Sequence, residues 1–167
     1  MRGEVLLATL LASALLVPAH AAGATARAGV ALLGGGVAAT APADVELPAA
    51  RVSGSPVTVE APVGPFVVTD TRPGSAGWSL VVVATAPADP LGRPLGAPLV
   101  VTPRPAAVGG AGTVPGAAGP VDAPRAILTA PPGTGSGRVE VTPLVGVTVP
   151  GDAATAVYSA TLVVTVS

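Results

Sequence analysis

Short runs of Val and Thr, interrupted throughout by Gly and Pro, most constrain how this chain can fold. The sequence contains 22 Gly and 20 Pro in 167 residues, yet 50% of its residues are hydrophobic and its net charge is -1. Disordered chains combine low hydrophobicity with high net charge, so this composition does not favour disorder. It is typical of many short strands joined by tight turns.

Period-two alternation and turn residues predict where the strands lie. No convincing helical period follows residue 21. Residues 22–54 predict a loosely ordered lead-in with at most one strand, and residues 105–120 predict a mobile loop without strands. About seven or eight strands at this spacing predict an all-β fold, a single antiparallel β-sandwich. The predicted strands are residues 56–60, 64–70, 77–86, 99–102, 126–129, 138–149 and 157–166.

The first 21 residues have the parts of a secretory signal peptide. Arg2 begins a basic end, residues 5–17 are apolar, and Ala19-His20-Ala21 forms an A-x-A cleavage site after Pro18. The apolar stretch is shorter than the about 20 residues that span a bilayer, so a simple membrane anchor is the weaker alternative. We expect residues 1–21 to be the signal peptide and residues 22–167 to be one domain, with its ordered core at about 54–167 and no membrane anchor.

The residue types left after export exclude several classes of function. His20 is the only His, and the sequence contains neither Cys nor Lys. The exported chain therefore lacks the usual general base, thiolate nucleophile and Schiff-base amine. Arg residues are scattered, so no basic face for nucleic acid is expected, and no D-x-D-x-D run predicts calcium. An acid-pair hydrolase remains an alternative, but we predict no catalytic residues, no metal and no cofactor.

Two segments resemble the WxL-domain family of surface cell-wall-binding proteins. Residues 68–80 contain D-T-R followed by G-W-x-L, and residues 149–166 contain Y-x-x-x-L before an alternating apolar strand. Val164 occupies the place where many members carry a second Trp. The resemblance covers roughly residues 28–167. It implies an all-β domain that attaches non-covalently to the Gram-positive cell wall, through peptidoglycan.

The candidate binding residues come from these two motifs, and each has a structural alternative. Trp78 could stack on sugar rings, or it could anchor the core of the sandwich. Tyr158 could contact a ligand, or its hydroxyl could hold a loop. Leu80 and Leu162 belong to the same motifs and are most simply core residues.

Asp70 and Arg72 complete the candidate set. They lie two residues apart, so on a strand they would point to the same face. Such a polar pair could hold a ligand carboxylate or a muramyl group. The alternative is a turn or a structural ion pair, because Asp stabilises turns through its own side chain.

These observations predict a secreted, non-catalytic protein of the cell surface that binds the cell-wall polymer peptidoglycan. The alternative is a structural or assembly subunit that contacts other surface proteins or copies of itself. Exposed sheet edges and an apolar, weakly charged surface would favour that alternative.

Overall fold

The computed structural model describes residues 36–72, 74 and 76–167. The predicted signal peptide at residues 1–21 lies outside the described residues. Within them the chain is all-β, with eleven strands, all paired antiparallel, and no helix. The all-β prediction is confirmed for this part of the chain.

The strands form three sheets. The first sheet has the order β1-β3-β9, the second β2-β10-β5-β7 and the third β11-β4-β8-β6. The strands are β1 (Val37–Thr40), β2 (Val57–Pro62), β3 (Phe66–Asp70), β4 (Trp78–Ala84), β5 (Val100–Thr102), β6 (Val114–Pro115), β7 (Gly119–Pro120), β8 (Arg125–Ala130), β9 (Gly137–Val141), β10 (Leu144–Val149) and β11 (Leu162–Val166).

Several strand boundaries differ from the sequence prediction. Residues 138–149 do not form one strand, because Thr142 and Pro143 divide them into β9 and β10. β11 begins at Leu162 rather than at residue 157. The prediction of a strand-free loop at 105–120 was wrong, since this segment contains β6 and β7. Each has only two residues, which is too short for a period-two pattern, and each forms by pairing with a longer strand nearby.

The first and second sheets share one bent ribbon. β2 continues into β3, and β9 continues into β10, so the antiparallel pairing runs from one sheet into the other. At the bend the Val63 N–H donates to the Pro143 carbonyl at 2.9 Å. Pro143 is fully buried there. This contact joins the β2–β3 bend to the β9–β10 bend, so both strands of the ribbon pass from one sheet to the other at the same place.

Buried residues of all three sheets form one hydrophobic cluster. Val68 of β3, Val101 of β5 and Leu80 of β4 are at most 1% exposed. β4 lies between β11 and β8 in the third sheet. Its residues alternate between buried and half-buried, so both faces of its apolar run are at least partly covered. Phe66 at the start of β3 is 1% exposed and is the largest side chain among those that are fully buried.

We expect Phe66→Ala to destabilise the fold by about 3–5 kcal/mol, because it removes a buried ring and leaves a cavity. Val157→Ala is the matched control, since Val157 is 79% exposed; it should change the free energy of unfolding by no more than about 0.5 kcal/mol. Chemical denaturation measures both. Equal unfolding midpoints for the two variants would show that Phe66 is not part of the core.

Candidate functional site

An arginine clamp closes the loop between β3 and β4. The Arg72 guanidinium donates to both oxygens of the Asp70 carboxylate, from Nε to Oδ1 at 2.9 Å and from Nη2 to Oδ2 at 2.8 Å. The Arg72 backbone N–H also donates to Oδ1, at 3.0 Å. The same Nη2 reaches across the loop to the Gly77 carbonyl at 2.7 Å. The clamp therefore joins the end of one strand to the start of the next.

The clamp is an internal feature of the fold. The Asp70 side chain is 1% exposed and that of Arg72 is 25% exposed. Hydrogen bonding from the Arg72 side chain lowers the pKa of Asp70, against the opposing effect of burial. Both carboxylate oxygens are engaged by Arg72, so the geometry supports the structural ion pair considered from the sequence over a ligand-binding pair.

Gly77 packs tightly against the loop that leads from β8 to β9. Its φ is +81°, and a Cβ there would lie 2.6 Å from the Ala130 carbonyl oxygen. A side chain at this position would therefore be strained and would also clash with backbone. Only glycine lets the β3–β4 loop approach the β8–β9 loop this closely.

Trp78 follows Gly77 and lies in the core. It is 4% exposed, and its Nε1–H donates to the Gly135 carbonyl at 2.9 Å. Gly135 belongs to the β8–β9 loop, so the indole links this loop to the first residue of β4. Leu80, two residues further along β4, is fully buried. The burial supports the second role considered for Trp78, an anchor of the core, because no ring face is open for stacking on a sugar.

The second motif, residues 149–166, consists of the segment before β11 and of β11 itself. Tyr158 is half-buried and lies before the strand, and its hydroxyl donates to the Ala154 carbonyl at 2.9 Å. This bond holds the preceding turn, as the structural alternative expects. Leu162 and Val164 are half-buried and pack against the core.

The two motifs lie on neighbouring strands, although they are far apart in the sequence. In the β4–β11 pair, Val166 lies opposite Leu80 and Leu162 lies opposite Ala84. Trp78 is therefore near one end of the pair, whereas Tyr158 lies beyond the other end. The candidate residues thus do not converge on one ligand site in this structure; Asp70, Arg72 and Trp78 form one group, and Tyr158 lies apart from it.

Sequence reasoning missed a second carboxylate clamp, in the loop after β4. Asp89 is 6% exposed and accepts hydrogen bonds from the backbone N–H groups of Leu91 and Arg93 at 2.9 and 2.8 Å. Arg93 also donates its guanidinium to Asp89. Burial raises the pKa of Asp89, but the hydrogen bonds outweigh it and the net pKa is lowered. The available signal was Asp-Pro-Leu-Gly-Arg, because Asp and Gly at these positions favour a turn.

Among the surface cavities of the described part of the chain are two shallow ones, of about 200 Å³ and about 110 Å³. None of the candidate residues lines either cavity. The larger lies where the end of β4 meets residues 94–99, and the smaller lies on the face of the second sheet. Among residues 36–72, 74 and 76–167, no cluster of three or more His, Cys, Asp or Glu could bind a metal ion. In the same ranges no helix has the length and hydropathy needed to cross a membrane.

The fold defines the described part of the chain as an all-β protein of antiparallel sheets. No protein-family model, curated protein or solved structure matches the chain. The resemblance to WxL domains therefore stays a prediction that depends on the motif residues.

We expect Asp70→Asn to destabilise the fold by about 1–3 kcal/mol at neutral pH, because it removes a charge-assisted clamp. Glu140→Gln is the control, since it breaks the exposed Arg138–Glu140 pair; it should cost less than about 1 kcal/mol. Thermal unfolding at several pH values measures both effects.

The effect of Asp70→Asn should depend on pH in one direction. The folded-state pKa of Asp70 is lower than its ordinary value of 3.8, so the clamp stabilises the protein fully above that value. Its contribution is lost as the pH falls through the lowered pKa. The difference in the free energy of unfolding between wild type and Asp70→Asn should therefore become smaller below pH 3.8. A gap that is constant from neutral to acid pH would contradict this role.

Proposed function

We propose that this protein is an exported, non-catalytic module of the cell surface that binds peptidoglycan in the Gram-positive cell wall without a covalent bond. One observation carries the proposal. The two segments that resemble WxL motifs are hydrogen-bonded neighbours in the third sheet. Two motifs that meet in this way support one ordered domain of the WxL type better than two unrelated short matches do.

Further support comes from the chain's organisation. Residues 1–21 have the pattern of a signal peptide, which favours export and a place at the cell surface. The three sheets share one hydrophobic cluster, which supports a single β-sandwich in the described residues of the proposed domain. The buried carboxylates of Asp70 and Asp89 are held by arginines, so they are poor candidates for acid–base catalysis.

The geometry of Asp70, Arg72 and Trp78 supports a scaffold role for these residues in the proposed module. Asp70, Arg72 and Trp78 direct their polar groups to other parts of the same chain. Contact with the wall then falls to exposed residues outside the clamp. A substitution in the motif should therefore alter binding through folding.

Co-sedimentation with insoluble Gram-positive peptidoglycan tests this function. We expect the purified protein to pellet with the polymer and to stay soluble once the polymer has been digested with a muramidase. Trp78→Phe should pellet like wild type as long as it folds, because it keeps a buried ring although it loses the bond to Gly135 and part of the indole volume. Trp78→Ala should lose binding only to the extent that circular dichroism shows unfolding.

Two results would change this assignment. If folded wild type remains in the supernatant, the wall-binding function is wrong. If Trp78→Phe is folded but does not pellet, Trp78 contacts the ligand directly and the scaffold role is wrong.

A second candidate, a subunit that assembles through protein–protein contacts, is favoured by one observation. Leu91 is 78% exposed and Val157 is 79% exposed. Their two segments are joined by the antiparallel bridge between Ala88 and Ser159. Contiguous exposed apolar patches are typical of interaction surfaces, and the bridge brings the segments of these two side chains together.

Sedimentation velocity over a range of concentrations tests the second candidate. If it is correct, the mass rises with concentration, and the double change Leu91→Ser and Val157→Ser keeps the protein monomeric. Val114→Ser is the control, because Val114 is 55% exposed but lies on β6. A wild-type protein that is monomeric at every concentration rules out self-assembly.

A further inference from the structure

Recognition of sugar rings by aromatic stacking has little support in this chain. The sequence contains one Trp, one Tyr and one Phe. Trp78 and Phe66 are 4% and 1% exposed. Tyr158 is half-buried and its hydroxyl is bonded to Ala154. A ring face that could serve as a platform is therefore scarce, and wall binding needs a different chemistry.

The larger cavity combines apolar walls with one carboxylate, which is a chemistry other than aromatic stacking. It has a volume of about 200 Å³ and lies where three segments meet, residues 84–86 at the end of β4, residues 94–99 before β5, and Asp122 after β7. Its walls are mainly Ala, Pro and Leu side chains. Asp122 is the only ionisable side chain among the lining residues.

Backbone hydrogen bonds fix the three segments relative to one another. The Ala84 N–H donates to the Val121 carbonyl at 2.6 Å, and the Val121 N–H donates to the Leu99 carbonyl at 3.0 Å. The Leu95 N–H donates to the Pro87 carbonyl at 2.8 Å. Pro94 and Pro98 add residues whose backbone φ is restricted. The cavity is thus formed before any ligand arrives, which lowers the entropy lost on binding.

The charge at the cavity is available to a ligand. Asp122 is exposed and makes no ion pair with any other described residue. The next arginine along the chain, Arg125, donates its Nε–H to the Pro120 carbonyl at 2.8 Å instead. A free carboxylate beside an apolar wall complements a group that has a methylene stem and a terminal ammonium.

We propose that this cavity binds the side chain of a diamino acid, with the stem against the Pro and Ala walls and the ammonium on the Asp122 carboxylate. The inference rests on the proposed wall-binding function and names the group recognised. In peptidoglycan that group is the free side-chain amine of a stem peptide that has not been cross-linked. The protein then recognises the peptide part of the polymer, and cross-linking or acetylation of the amine removes its ligand.

Co-sedimentation with native peptidoglycan and with peptidoglycan whose amines have been acetylated tests this inference. We expect acetylation to weaken the binding of wild type by up to about fivefold, the effect of losing one ion pair at an exposed carboxylate. Asp122→Asn should weaken binding to native polymer by a similar factor and should be insensitive to acetylation. Asp152→Asn is the matched control, since Asp152 is also exposed and lies outside the cavity, and it should bind like wild type.

A soluble ligand separates this inference from the proposed function. The full chain is titrated with a stem peptide that carries a free side-chain amine, and with its acetylated form, while NMR follows the residues of the cavity. Shifts at these residues with the free amine alone support the inference, even if the protein fails to pellet with the wall. Equal pelleting on native and acetylated polymer, or no shift with the free-amine peptide, overturns it. The first of these results leaves wall binding intact, and failure to pellet with either polymer counts against wall binding itself.

Discussion

The bond between Arg72 and Asp70 determines where the chain leaves the first sheet and enters the third. Arg72 also holds the Gly77 carbonyl, so the loop after β3 ends at a fixed point and Trp78 begins β4. The indole then donates to Gly135 in the loop by which the chain returns from β8 to β9. The β3–β4 loop and the β8–β9 loop, by which the chain passes between the first and third sheets, are therefore joined to each other beside Trp78. The pairing of β3 with β9 and of β4 with β8 depends on this common point.

Directional contacts of this kind matter because the rest of the core is not directional. The buried cluster consists mainly of Val, Leu, Ala and Ile, and the chain has no Cys to form a disulfide. Hydrophobic burial stabilises any arrangement that covers apolar surface, so it does not by itself select which strands meet. Two sets of contacts favour the observed arrangement: the Asp70 clamp, and the Val63–Pro143 bond at the bend of the ribbon. The Asp89 clamp fixes the shape of its own turn.

The sequence allowed the long strands to be predicted, because β2, β3 and β8 carry their own apolar pattern between turn residues. β6 and β7 could not be predicted in this way, since two residues carry no period and their pairing depends on β8 and β5. The motif residues could be found, but not their roles. A Trp in a pattern is the same letter whether its ring is buried or exposed, and only the packing around Trp78 distinguishes the two. Asp89 was missed because its five-residue turn also fits an ordinary surface loop.

The clamp and the larger cavity lie at opposite ends of β4. β4 has seven residues, which gives a length of about 20 Å. Trp78 is the first residue of this strand and lies next to the clamp. Ala84 is its last residue and lines the larger cavity. The G-W-x-L motif therefore belongs to the part of the chain that joins the sheets. The cavity near Ala84 is built mainly from loops that the motif does not include. Asp122 is exposed and makes none of the contacts of the clamp, so a change of this side chain would alter the cavity without removing a contact that joins the sheets.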